Sequence, residues 1–374
     1  MSAVPAQIIA AARDWLDDDP DPVTRAELAA LIEQRSPDLV QRFSGRLQFG
    51  TAGLRGPIEA GPMGMNRVTV LRAAAGVVRY LLDTVPDVAT RGVVIGCDAR
   101  HNSDVFAMDT AMVVAGAGIR ALVLPFSMPT PVLAFATRNL NCAAGVMVTA
   151  SHNPPADNGY KVYLGDGAQI VPPHDTEIAH RIDAVASVRT LQLAPTDDPL
   201  IERLDHAIVD DYCQAVVAQR FVPDAVDVNV AYTAMHGVGR ETLLAAFAAA
   251  GFPAPVLVAQ QADPDPDFPT VAFPNPEEPG AMDLLLALAA ESGADVALAN
   301  DPDADRLAVA IPTANGGWRP LTGNETGWLL ADHVLAHTSG PRLVATTIVS
   351  STLLRDMAAV NDDVAYAETL TGFK

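Results

Sequence analysis

Three stretches of this 374-residue chain combine residue types that could do chemistry. The first is Thr149-Ala150-Ser151-His152-Asn153-Pro154. An apolar run, Ala143 to Val148, leads into it, and Lys161 lies ten positions after the serine. A hydroxyl at the mouth of a buried strand, with an amine near by, can be an activated nucleophile. A loop serine is also a common turn former that bonds its own backbone. Composition bears on the choice. Of 24 basic residues only Lys161 and Lys374 are lysines, so 22 are arginines. Arginine is permanently charged, whereas a lysine can lose its proton when desolvated. Lys161 is therefore a candidate for proton transfer or for a tunable phosphate contact; the alternative is a surface lysine kept by chance.

The second stretch is Asp301-Pro302-Asp303-Ala304-Asp305-Arg306, set between the apolar runs 295–299 and 307–310. Three carboxylates this close repel one another and are costly without a cation. Oxygen ligands of this kind suit Mg²⁺, Mn²⁺ or Ca²⁺. A calcium EF-hand is excluded. It needs glycine sixth and glutamate twelfth, where this chain has Arg306 and Pro312, and strands rather than helices flank the loop.

The third stretch is Phe49-Gly50-Thr51-Ala52-Gly53-Leu54-Arg55-Gly56. Its glycines permit tight turns and positive φ, and Arg55 could grip an anion through its fork of donors. An ordinary glycine-rich turn with a solvated arginine is the competing reading. Met235-His236-Gly237-Val238-Gly239-Arg240 stands between a strand and a helix, where a phosphate could bind. It is neither a Walker loop nor GxGxxG, and a tight strand-to-helix turn explains it as well.

Elements that position these stretches alternate between strand and helix, which implies an α/β layered architecture. Strands are expected at 93–97, 121–124, 143–148, 226–232, 295–299, 307–310 and 344–348. Helices are expected at 68–82, 104–117, from Pro129-Thr130-Pro131 onward, and at 205–219, 241–250, 281–292, 324–336 and 352–359. Two more, 6–16 and 24–35, form an extension broken at the acidic turn 17–22, with Thr24 and Glu27 as a capping box. Thr322 and Glu325 form a second such box. Residues 187–203 read as a linker and 263–280 as a long loop. The expected units are 1–203 with the serine, 204–321 with the three aspartates, and a partial third unit, 322–374.

Length calls for two or three domains. A net charge of −21 argues against nucleic acid and anionic membrane surfaces as partners. It leaves room for an anionic substrate at a locally positive site. Cys97, Cys142 and Cys213 fit no metal pattern and suggest reduced thiols in a cytoplasmic protein. No run reaches the ~18 apolar residues of a membrane span.

The stretch 149–154, its spacing to Lys161, the FGTxGxRG-like segment 49–56, the loop Asp98-Ala99-Arg100, the MHGVG segment and the loop 300–306 together resemble the α-D-phosphohexomutases, the phosphoglucomutase and phosphomannomutase superfamily. The resemblance implies tandem three-layer α/β/α domains. It implies interconversion of hexose 1-phosphate and hexose 6-phosphate through a phosphoserine at Ser151 and a hexose 1,6-bisphosphate, which also serves as activator. Mg²⁺ would sit on Asp301, Asp303 and Asp305, with the Ser151 phosphate as a further ligand. His152 and Lys161 would assist catalysis. Arg55, Arg306 and, from the TGxK-like ending, Thr371 and Lys374 would hold a small phosphosugar. Asp98 and Arg100 are expected to be structural.

Two family features are not found: a GEES-like sugar-selecting loop and an RxSGTEP-like phosphate loop. The chain therefore reads as an amino-terminal portion, or as a product lacking the end of the third domain and the fourth. An unpaired sheet edge and exposed apolar surface are expected in the third unit. A phosphopentomutase, a hexose-bisphosphate synthase and a non-catalytic phosphosugar-binding protein are the rival readings. The sequence leaves the preferred sugar and the oligomeric state open.

Overall fold

The computed structural model describes residues 4–224 and 227–370. The first unit is a mixed sheet. Its strands are β1 (Leu54–Pro57), β2 (Val93–Cys97), β3 (Ala121–Val123), β4 (Ala144–Val148), β5 (Asp157–Leu164) and β6 (Ile201–Arg203), in the spatial order β1-β5-β4-β2-β3-β6. The middle strands β4, β2 and β3 run parallel, and β5 and β1 are added antiparallel at one edge. Every residue of β2 and β4 is buried. That burial explains why both read as unbroken apolar runs rather than alternating ones.

Helices cover the sheet. Arg67–Thr84 packs against both Ser103–Gly116 and His174–Asp183, and its Val68, Leu71, Ala75, Val78 and Leu81 face the core at helical spacing. The stretch 187–203, expected as a linker, belongs to this unit. β6 pairs with β3, and Ser187 donates to Asp18 of the extension. Three paired residues suffice for that edge strand, too few for a periodic signal.

The extension consists of helices Ala6–Asp18 and Pro22–Glu33. The second starts two residues earlier than expected. Asp21 is the N-cap, accepting from Val23 N, and Pro22 takes the first helical position, where its fixed φ is pre-organised and its missing N–H costs nothing. Thr24 instead donates to Asp19 Oδ2 at 2.6 Å, and Glu27 accepts from Ala60 N at 3.0 Å. The box expected at Thr24 and Glu27 is therefore absent.

The second sheet holds β7 (Val230–Thr233), β8 (Val256–Leu257), β9 (Val296–Asn300), β10 (Leu307–Pro312) and β11 (Trp318–Pro320), in the order β11-β10-β9-β7-β8. β9 and β10 form an antiparallel hairpin whose connection carries the three aspartates. The third unit begins with helix Gly323–His337, where the capping box of Thr322 and Glu325 is present as expected. Its strands β12 (Arg342–Thr347) and β13 (Val364–Thr369) pair in parallel with each other alone among the described residues. Leu343, Val349 and Val360 are 66%, 71% and 82% exposed, so the expected open edge and apolar surface are both present. No helix among the described residues is long and apolar enough to cross a membrane.

Candidate active site

β4 delivers Ser151 just beyond its last residue, and the serine takes a left-handed φ of 53°. A non-glycine residue in that region is strained by ~1 kcal/mol or more and persists only where its surroundings over-determine it. Arg100 does much of this. Its guanidinium donates to four carbonyls: Ser151 at 2.6 Å, Asn153 at 2.7 Å, Pro154 at 2.9 Å and Asp157 at 3.1 Å. Asp98 holds Arg100 in turn, with Oδ2 3.3 Å from Nε and Oδ1 accepting from Arg100 N and from Ser103 Oγ. Thr149 Oγ1 accepts from Ser151 N at 2.8 Å. Asp98 and Arg100 are thus the frame of the serine loop, with four backbone contacts where the sequence implied only a structural role.

The aspartate loop is shaped by its own chain and by the 235–240 segment. Arg306 N donates to Asp301 Oδ1 at 3.0 Å, and Ala304 turns the chain with a φ of 55°. Val238 N donates to Pro302 O at 2.8 Å. Gly237 lies so close that a Cβ there would stand 2.3 Å from Pro302 Cα. This close approach is what the tight-turn reading of Met235–Arg240 expects: Gly237 admits the aspartate loop. His236 is buried, with Nε2 2.8 Å from Thr270 Oγ1.

The two loops meet across the units. Ser151 Oγ donates to Asp301 Oδ2 at 2.7 Å. Lys161, on β5, donates to Asp303 Oδ2 at 2.6 Å and to Asp305 Oδ2 at 2.8 Å. Thr130 donates its hydroxyl to Asp303 Oδ2 at 2.6 Å and its backbone N–H to Asp303 O at 2.9 Å. Oxygens of Asp301, Asp303 and Asp305 all lie within 4.8 Å of one another. Asp303 Oδ1 is buried and has no hydrogen-bond partner. Three converging carboxylates with an unsatisfied buried oxygen fit a hard divalent cation.

Electrostatics follow from burial and these pairings. Burial, then the neighbouring Asp303 and Asp305, pushes Asp301 well above the usual carboxylate range. Burial would raise Asp303 too, but the charge and hydrogen bond of Lys161, with Thr130, outweigh it and hold Asp303 down. Burial would lower Lys161, and the two aspartates reverse that, so the amine stays protonated. Paired with these two aspartates, Lys161 is placed to donate a proton or to clamp a phosphate. His152 is lowered to about 4 by burial, then by Arg306 and Arg55. Its neutral ring puts Nδ1 3.5 Å from Ser151 Oγ and packs beside Phe273.

Arg55 lies on β1, opposite Gly159 of β5, and donates to Asn153 Oδ1 at 3.1 Å. Gly53 makes this placement possible: its φ is 78°, and a Cβ there would fall 1.9 Å from Tyr160 O. Arg306 Nε stands 4.0 Å from oxygens of both Asp301 and Asp305. The structure thus brings together Ser151, His152, Lys161, Arg55, Arg306 and the three aspartates. Thr371 and Lys374 lie outside the described residues. Thr130 and Asn153 were missed. Pro129-Thr130-Pro131 signals a helix start, and nothing local says that the threonine faces a loop from another unit.

Two family models match the chain: phosphoglucomutase/phosphomannomutase alpha/beta/alpha domain I over residues 46–189, and domain II of the same family over residues 210–316. Among curated relatives, a "Probable phosphomannomutase" of Haemophilus influenzae is 49% identical over 318 residues, covering 83% of this chain and 64% of that protein. A "Probable phosphoribomutase" of Schizosaccharomyces pombe is 40% identical over 382 residues, covering 96% of this chain and 64% of that protein. The chain thus spans just under two thirds of the length of either relative. The crystal structure of a Thermus thermophilus protein assigned as a phosphomannomutase superposes with a TM-score of 0.73 at 27% identity, covering 88% of this chain and 70% of that one. With both domain models matched in order over more than half of its length, the chain belongs to the phosphoglucomutase/phosphomannomutase family.

Proposed function

We propose that this chain carries the phosphoserine and metal half-sites of a mutase that moves a phosphoryl group between the 1- and 6-positions of a hexose phosphate, mannose or glucose. The observation that carries this reading is the 2.7 Å contact between Ser151 Oγ and Asp301, which sets a strained serine against a three-carboxylate cluster. Units 1–203, 204–321 and 322–374 would contribute the serine, the metal loop and sugar contacts respectively.

In one half-reaction the Ser151 Oγ–P bond breaks as a sugar hydroxyl loses its proton and forms its own O–P bond, giving a hexose 1,6-bisphosphate and a serine oxygen that takes up a proton. In the other, Ser151 Oγ attacks the second phosphoryl group: a new Oγ–P bond forms, the sugar O–P bond breaks and the released sugar oxygen takes up a proton, while the serine proton leaves; the neutral ring of His152, 3.5 Å away, is in position to receive it. Lys161, Arg55 and Arg306 supply positive charge around the transferred group, and Lys161 is placed to return a proton. Thr371 and Lys374 would contact the phosphosugar. Asp301, Asp303 and Asp305 would hold Mg²⁺, which when bound neutralises charge on the phosphoryl oxygens.

A second reading, a pentose-phosphate mutase, is favoured by the 40% identity to the fission-yeast relative over nearly the whole chain. Turnover ratios on mannose, glucose and ribose phosphates separate the two. The test of the shared chemistry is intact mass after exposure to glucose 1,6-bisphosphate with Mg²⁺. Wild type should gain one phosphoryl group and Ser151→Ala none; equal gain in both would remove Ser151 from the mechanism.

A further inference from the structure

Loop 263–280 of the second unit reaches over to the serine loop of the first. Asp267 Oδ1 lies 2.8 Å from Nε2 of His101, and the Phe273 ring stands 5.9 Å from that of His152. Between them in the chain, Phe268 sets its ring centroid 5.0 Å from the Arg100 guanidinium carbon, the group that binds four carbonyls of the serine loop. Phe268 is 3% exposed, whereas Asp267 and Pro269 on either side of it are exposed. The loop thus turns this ring inward, onto Arg100.

Phe268 has a left-handed φ of 45°. A bulky side chain rarely adopts that region, and such strain persists only where the surroundings over-determine it. Here the chain on both sides is tied down. Phe268 N donates to Asp265 O at 3.2 Å, and Asp265 N to His236 O at 3.0 Å. Thr270 Oγ1 accepts from Gln261 Nε2 at 2.8 Å and lies 2.8 Å from His236 Nε2. The loop is therefore fastened to the turn after β7, the same turn that seats the aspartate loop through Gly237. Burial works against the charge of Arg100, with Asp98 opposing it. An aromatic ring attracts a desolvated guanidinium more strongly than a solvated one.

We infer that Phe268 is a positioning residue: through Arg100 it holds the Ser151 loop against the second unit, in the geometry that phosphoryl transfer needs. Its bearing on transfer rests on the phosphoserine chemistry proposed above; its hold on the loop does not.

The experiment compares the 374-residue chain with Phe268→Leu, by hydrogen exchange of the amides in residues 149–158 and by intact mass during exposure to glucose 1,6-bisphosphate with Mg²⁺. Phe268→Leu keeps apolar bulk and removes the ring. Exchange in 149–158 should quicken about tenfold or more, the scale of a desolvated cation–π contact, while β2 and β7 keep wild-type exchange. The rate of phosphoryl uptake at saturating bisphosphate should fall by a similar factor, with the half-saturating concentration little changed. A trifluorinated phenylalanine at position 268 keeps the shape of the ring and drains charge from its face. It should reproduce both effects in part, and it decides the matter if Phe268→Leu fails to fold. Unchanged exchange in 149–158, exchange that rises equally throughout the second unit, wild-type uptake beside faster exchange, or a fluorinated ring that behaves as wild type would each overturn the role of Phe268. If wild type gains no phosphoryl group, the phosphoserine reading fails, and the exchange comparison still decides whether Phe268 holds the loop.

Discussion

Asp303 shows how one residue gathers the chemistry of the site. Its Oδ2 takes hydrogen bonds from Lys161 and Thr130, two residues of the first unit, while Oδ1 is buried without a partner. The two donors fix the direction in which the free oxygen points, which is the usual work of groups behind a metal ligand. Thr130→Val keeps the shape and removes the donor. It should weaken Mg²⁺ binding by about ten- to a hundredfold, with Thr130→Ser restoring most of it, as read by titration calorimetry. Wild-type affinity in Thr130→Val would mean that Lys161 alone orients Asp303. Lys161 was a candidate for proton transfer or a phosphate contact because lysine is rare in the chain, and its pairing with two aspartates, which raises its pKa, suits it to give a proton rather than to take one.

Elements set these residues in place through close backbone approach more than through side-chain reach. The turn after β7 lies against the loop between β9 and β10, and Gly237 is where the two backbones touch. Gly237→Ala would force a methyl group to within 2.3 Å of Pro302. Overpacking of this kind costs about 1–3 kcal/mol, so the denaturation midpoint should fall. Mg²⁺ affinity should fall with it, because the same contact shapes the aspartate loop. An unchanged midpoint would show that the loop yields freely. The neighbouring His236 adds a pH dependence. Burial lowers its pKa below the ordinary value near 6.5, only partly offset by Asp265. The folded state then holds it neutral while the unfolded state takes a proton near that value. Its contribution is full above about pH 6.5 and is lost as pH falls towards the folded pKa. Unfolding free energies measured between pH 7.5 and 5 should decline more steeply in wild type than in His236→Gln. Parallel profiles would assign the acid sensitivity to other groups.

At the scale of the whole molecule, the site exists only where two units meet. Ser151, Lys161 and Thr130 come from the first sheet and its helices, and the aspartates come from the second. A cation that binds the aspartates therefore acts on the junction as well as on one loop. Mg²⁺ should raise the unfolding free energy by about 2.7 kcal/mol at a hundredfold excess over its Kd, and a chelator should reverse the shift. Substituting all three aspartates by asparagine should abolish the effect, and a Mg²⁺ shift that survives would place the binding elsewhere. The third unit presents a different surface, with Leu343, Val349 and Val360 exposed along and beside a two-stranded sheet.

Much of this was determined by the sequence alone. Residue type needs no geometry: a serine after an apolar strand, and three alternating aspartates between two more, already made a nucleophile and a hard cation site the candidate chemistry. Buried strands and amphipathic helices were legible because burial imposes periodicity on residue type, and the Thr322–Glu325 cap because its partners are three residues apart. Tertiary structure alone decided the rest. Thr130 reaches across 173 positions to Asp303, and the Asp98–Arg100 frame reaches some fifty positions to the serine loop. No local pattern encodes such separations. The short edge strand β6, the displaced cap at Asp21 and the protonated state of Lys161 were likewise set by neighbours distant in the chain or by a proline's backbone preference. Hydrogen bonding and desolvation depend on where the chain returns in space, and residue order by itself does not state that.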